Sequence, residues 1–122
     1  MLKKVLHTGV RVDNLEKTVE LYKSLGFTIR NEFEKPEPKA KVVTVEKDGA
    51  AYELWEFEDT GHPQVEFIQN HVAIYSDNLT ADIKDLESLG YKVVIPITEG
   101  VILRYAFVRD PSGATYEIAT EK

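Results

Sequence analysis

Shifted by 64 residues, this 122-residue chain falls on itself in register from His7 to Leu54. His7 meets His71 (71 − 7 = 64) and Glu53 meets Glu117 (117 − 53 = 64). Between them, Asp13-Asn14-Leu15 meets Asp77-Asn78-Leu79, and Ser24-Leu25-Gly26 meets Ser88-Leu89-Gly90. Gly49-Ala50 meets Gly113-Ala114, and Tyr52 meets Tyr116. One such repeat is too small to bury a sheet alone, so two copies must share a core.

Patterning within the first repeat gives the order β-α-β-β-β. Residues 5–12 are rich in β-branched and apolar side chains and read as a strand. Asp13-Asn14 supplies a helix N-cap, Glu16 adds negative charge to the first turn, and Gly26 ends the helix. Its apolar stripe is Leu15, Val19, Tyr22 and Leu25, widened by Leu21. A strand at 27–33, a loop at 35–39 and a hairpin of 41–46 with 51–57 around Lys47-Asp48-Gly49 complete the unit. The second repeat predicts strands at 70–76, 91–97, 101–109 and 114–120, with a helix from Asp77-Asn78 to Leu89 and a turn at Asp110-Pro111-Ser112-Gly113. The expected fold is α+β: two βαβββ modules forming a curved mixed sheet of half-barrels with helices outside. One domain spans 1–122, with module 1 at about 4–57, a linker at 58–67 and module 2 at about 68–120.

Neighbouring side chains on a strand point to opposite faces. Leu6, Thr8, Val10 and Val12 are expected to face the helix, leaving His7, Gly9 and Arg11 on the other side. Tyr52 and Leu54 pack under the helix, so Ala51, Glu53, Trp55 and Phe57 face the concavity. The second repeat places His71, Ala73 and Tyr75 with Thr115, Glu117 and Ala119. His7, Glu53, His71 and Glu117 therefore share one face, and imidazole nitrogen with carboxylate oxygen suits divalent first-row metals. Taken singly, each has a blander reading: strand-start histidines bonded to backbone, an edge-strand carboxylate, an exposed strand end. A single offset and a single face favour a metal site. Arg11 could meet an anionic substrate group or pair with Glu53; Trp55, Phe57 and Tyr75 could form an apolar substrate wall or pack as aromatic core. His62, between Gly61 and Pro63, reads as a solvated loop residue.

Composition narrows the function classes. No cysteine is present, which excludes disulfides and thiolate-bound zinc. The formal charge of −6 argues against nonspecific nucleic-acid or anionic-membrane partners. The start of the chain, Met1-Leu2-Lys3-Lys4, turns polar at once, and no apolar run approaches membrane-spanning length, so a cytoplasmic protein is expected.

These residues resemble the vicinal oxygen chelate superfamily, which includes glyoxalase I, methylmalonyl-CoA epimerase, extradiol dioxygenases and the fosfomycin- and bleomycin-resistance proteins. The resemblance runs from His7 to Ile118. It rests most on His7-Thr8 with Asp13-Asn14-Leu15, on Asn70-His71-Val72-Ala73, and on Asp110-Pro111-Ser112-Gly113 leading to Tyr116-Glu117-Ile118. A glutamate at Glu53 looks most like glyoxalase I-like proteins. That likeness implies a metal-dependent lyase or isomerase acting on a small 2-oxoaldehyde–thiol adduct through an enediolate. His7, Glu53, His71 and Glu117 would be its ligands; nickel, cobalt or zinc is expected before iron or manganese. Glu117 would be the first candidate base and Glu53 its symmetry mate. The resemblance also implies a homodimer with sites shared between subunits. It leaves open an extradiol-type dioxygenase, a CoA-thioester epimerase or a non-catalytic drug-binding protein. One departure stands out: where the family's glutathione site has an asparagine, this chain has Phe57.

Overall fold

The computed structural model describes residues 1–122. Its elements run β1 (Leu2–Arg11), α1 (Leu15–Ser24), β2 (Thr28–Pro36), β3 (Lys39–Lys47), β4 (Ala50–Phe57), α2 (Val65–Ile68), β5 (Asn70–Ser76), α3 (Leu79–Ser88), β6 (Lys92–Glu99), β7 (Leu103–Arg109) and β8 (Thr115–Glu121). The strands form one mixed eight-stranded sheet in the order β2-β3-β4-β1-β5-β8-β7-β6. By contacts the chain divides into two compact units, one of His7–Asn70 and the other of Met1–Leu6 with His71–Lys122.

In the unit of His7–Asn70, the Asn14 side chain accepts the Lys17 amide at 3.1 Å and so starts α1. Glu56 accepts the Leu15 amide at 2.9 Å, capping a second amide of that first turn. Leu15 and Val19 then pack on Val43, Val45 and Leu54, with Val10, Val12, Tyr22, Phe27 and Tyr52 around them. This is the helix-facing parity expected for β1 and β4. The apolar stripe is narrower than its sequence pattern: Leu21 is 57% exposed and Leu25 63% exposed. The helix stops at Ser24, and the chain turns away at Gly26, whose φ of +94° is open to glycine, so Leu25 points outward from the cap. The loop expected at 35–39 is instead a tight reversal, with β2 running to Pro36 and β3 starting at Lys39. Pro36 is tolerated because β2 is the edge of the sheet. The hairpin from β3 to β4 has two loop residues, Asp48 and Gly49, both at positive φ, as a type I′ turn requires.

The other unit repeats this plan. Asn78 accepts the Ala81 amide at 3.2 Å. Leu79, Ile83 and Leu86 of α3 pack on Ala106, Val108 and Ile118, joined by Leu2, Ile74, Val93 and Ile97. Its second hairpin is longer: Arg109 pairs with Thr115, and Asp110 Oδ1 accepts the Ser112 and Ala114 amides, each at 2.9 Å, and the Ser112 hydroxyl at 2.7 Å. The single-turn helix α2 begins inside the stretch read from sequence as linker and ends one residue beyond it.

Each repeat also carries a β-bulge that sequence patterning did not foresee. Pairing of β2 with β3 shifts between Ile29 and Asn31, and pairing of β6 with β7 shifts between Val93 and Ile95, which are the same positions 64 residues on. A bulge changes which face a strand's later residues address. Ile29 therefore lies opposite helix-facing Val45, whereas Asn31 lies opposite Thr44, on the face of Glu53.

Candidate metal centre

His7 comes from β1 and Glu53 from β4, which pair in parallel with Gly9 opposite Glu53. His7 precedes Gly9 by two residues and so shares its face. In the other unit β5 and β8 pair in parallel with Ala73 opposite Glu117, and His71 precedes Ala73 by two. The two registers are the same after the 64-residue shift. Each brings an imidazole to a carboxylate: His7 Nε2 lies 3.3 Å from Glu53 Oε1, and His71 Nε2 lies 2.9 Å from Glu117 Oε1.

All four residues are buried, none more than 7% exposed. Buried ionisable groups are costly unless paired or bound to a metal. One ligand atom from each of His7, Glu53, His71 and Glu117 can be chosen so that all lie within 4.8 Å of one another. Ligands on opposite sides of a first-row cation sit about 4 Å apart at metal–ligand distances of roughly 2.1 Å. Donor chemistry and spacing thus fit such a cation.

The remaining candidates are placed as follows. Trp55 is buried and donates its indole N–H to Glu53 Oε1 at 2.8 Å. Its ring stacks on Phe57 with centroids 5.5 Å apart and meets Phe33 edge-on at 6.4 Å. Arg11 donates from Nη1 to Gln69 Oε1 at 2.9 Å and lies 5.6 Å over the Phe57 ring, so its partners are an amide and an aromatic face. Tyr75 is half-buried on β5, opposite Ala119 and on the His71 face of that strand. His62 is not solvated as expected: its ring is largely covered and lies 3.1 Å from Glu37 Oε1.

Sequence reading missed the rows that flank the two glutamates. Asn31, Thr44 and Glu53 stand side by side across β2, β3 and β4. Ile95, Phe107 and Glu117 stand likewise across β6, β7 and β8. Asn31 Oδ1 is buried with no hydrogen-bond partner, and Phe107 packs edge-on against the His71 ring at 5.0 Å. The only sequence signal for these neighbours would have been the bulges.

A model of the Glyoxalase/Bleomycin resistance protein/Dioxygenase superfamily matches residues 4–118. Lactoylglutathione lyase from Neisseria meningitidis serogroup A is 29% identical over 98% of this chain and 91% of its own length. Methylmalonyl-CoA epimerase from Mycobacterium tuberculosis has a similar structure, with a TM-score of 0.85 at 19% identity, over 99% of this chain and 89% of that one. A variant of the Streptomyces coelicolor epimerase in complex with 2-nitronate-propionyl-CoA gives 0.84 at 21% identity, over 99% of both chains.

Proposed function

The chain belongs to the Glyoxalase/Bleomycin resistance protein/Dioxygenase superfamily, and we propose that within it the protein is a divalent-metal-dependent lyase or isomerase of the glyoxalase I type. The observation that carries this reading is the buried set of two histidines and two glutamates with ligand atoms within 4.8 Å. His7, Glu53, His71 and Glu117 would hold the cation, with nickel, cobalt or zinc the expected ion. Such a cation, when bound, polarises the substrate oxygens beside the reacting carbon. Glu117 takes the proton from the carbon bearing the thiol and hydroxyl groups, and the C–H electron pair becomes the double bond of an enediolate. The π pair of the neighbouring carbonyl moves onto its own oxygen as this double bond forms. The same carboxyl then returns the proton to that neighbouring carbon, and the hydroxyl proton passes to the other oxygen, which leaves a 2-hydroxy thioester. Glu53 occupies the equivalent position for the opposite substrate face. Trp55, Phe57 and Tyr75 offer apolar surface that excludes water, and Arg11 offers guanidinium donors for an anionic end.

Support also comes from the lactoylglutathione lyase relative. Phe57, at the place of the glutathione-contacting asparagine, favours a second reading in which the thiol is not glutathione. A CoA thioester would then be epimerised by removal of its α-proton by one glutamate and return of a proton to the opposite face of the same carbon from the other. We take the protein to be a cytoplasmic homodimer. The test is elemental analysis of the purified protein, then turnover of methylglyoxal with glutathione and other thiols after nickel, cobalt or zinc loading. Glu117→Gln should lower kcat by roughly 10²–10⁴-fold. A protein that retains no divalent metal would overturn the reading.

A further inference from the structure

Glu53 differs from Glu117 in what its own strand does to it. Two residues along β4, on the same face, the indole of Trp55 donates to Glu53 Oε1 at 2.8 Å, and His7 Nε2 approaches the same oxygen at 3.3 Å. An indole N–H can only donate, and a buried one needs an acceptor. The ring has little freedom to turn away, because it is buried, stacked on Phe57 and met edge-on by Phe33. The matching position in the second repeat (55 + 64 = 119) is Ala119, whose side chain has no donor.

We infer that Trp55 is a positioning residue: it holds one oxygen of Glu53 and thereby presents the carboxylate to the cation in one orientation, a constraint that the second repeat's strand does not place on Glu117. This rests on the metal-centre reading above. It gives Glu53 a donor on its own strand that sets the orientation of its carboxylate. Partners of ligating carboxylates set metal affinity as well as orientation.

Trp55 is the chain's one tryptophan, so its indole gives one side-chain cross-peak in a ¹H–¹⁵N spectrum. In metal-free protein that peak should move in Glu53→Ala, and in the wild type it should move again on adding zinc. Trp55→Phe keeps an aromatic ring for the stack and removes the donor. It should weaken zinc binding by roughly ten- to a hundredfold in competition with a chelating dye, with the far-ultraviolet circular dichroism unchanged. An indole peak indifferent to Glu53→Ala, or a Trp55→Phe protein that binds zinc as tightly as wild type, overturns the inference. Wild type that takes up no zinc overturns the metal-centre reading and this role with it. An indole peak still sensitive to Glu53 would then locate the failure in the metal reading and not in the contact.

Discussion

The two repeats keep the same His–Glu register and surround it with opposite chemistry. Beside Glu53 stand Thr44 and Asn31; beside Glu117 stand Phe107 and Ile95. Part of the difference is a slip in pairing. Thr44 corresponds in position to Phe107, only 63 residues later (107 − 44 = 63), because the longer turn closed by Asp110 shifts β7 against β8 by one residue. A one-residue slip exchanges the faces of a strand. The parallel pairs that carry the ligands escaped that slip, and the antiparallel pairs beside them did not. Duplication supplied symmetric donors, and turn length made their neighbourhoods unlike.

The largest test of this comparison lies where the repeats agree. Leu54 and Ile118 are equivalent (118 − 54 = 64) and both fully buried, at 0% and 1% exposure, under α1 and α3. Leu54→Ala and Ile118→Ala should each cost about 2–5 kcal/mol in urea unfolding. A several-fold disparity would show that the two cores are not equivalent. A smaller effect lies where they differ. Asn31→Leu removes an unpaired buried carbonyl and should raise stability by about 1 kcal/mol, read as a higher urea midpoint. A loss of stability would mean that Asn31 Oδ1 has a partner in solution, such as a bound water.

The smallest effect concerns the unlike turns. Hydrogen bonds from the Ser112 hydroxyl first, then from the Ala114 amide, lower the Asp110 pKa from its ordinary value. A carboxylate depressed on folding contributes stability above its unfolded pKa of about 3.9 and loses it as pH falls through the lower folded value. Amide protection factors in the β7–β8 hairpin, which correct exchange for its intrinsic pH dependence, should therefore fall in acid, and Asp110→Asn should flatten that dependence while leaving the Asp48-Gly49 turn unchanged. Equal acid sensitivity in both hairpins would erase the distinction.

Much of this architecture was legible because its signals are local. Asn14 and Asn78 cap the helices they were expected to cap, and period-two alternation put His7 with Glu53 and His71 with Glu117. Alternation is blind to a bulge, so Asn31 and Ile95 could not be assigned a face. A four-residue helix such as α2 has too few positions to show a period. Leu21 and Leu25 fit a helical stripe yet lie in solvent, since spacing does not reveal where the opposing sheet ends. Trp55 was placed on the correct face, but pattern could not distinguish a wall for substrate from a donor to Glu53.

Both boundaries between the compact units fall immediately before a histidine of the candidate centre, at His7 and at His71. One unit is a continuous stretch of the chain, His7–Asn70. The other joins Met1–Leu6 with His71–Lys122, segments separated in sequence by the whole of the first unit. Its assembly closes a long loop, which is the slow kind of contact in folding. The discontinuous unit is therefore expected to form more slowly than the continuous one.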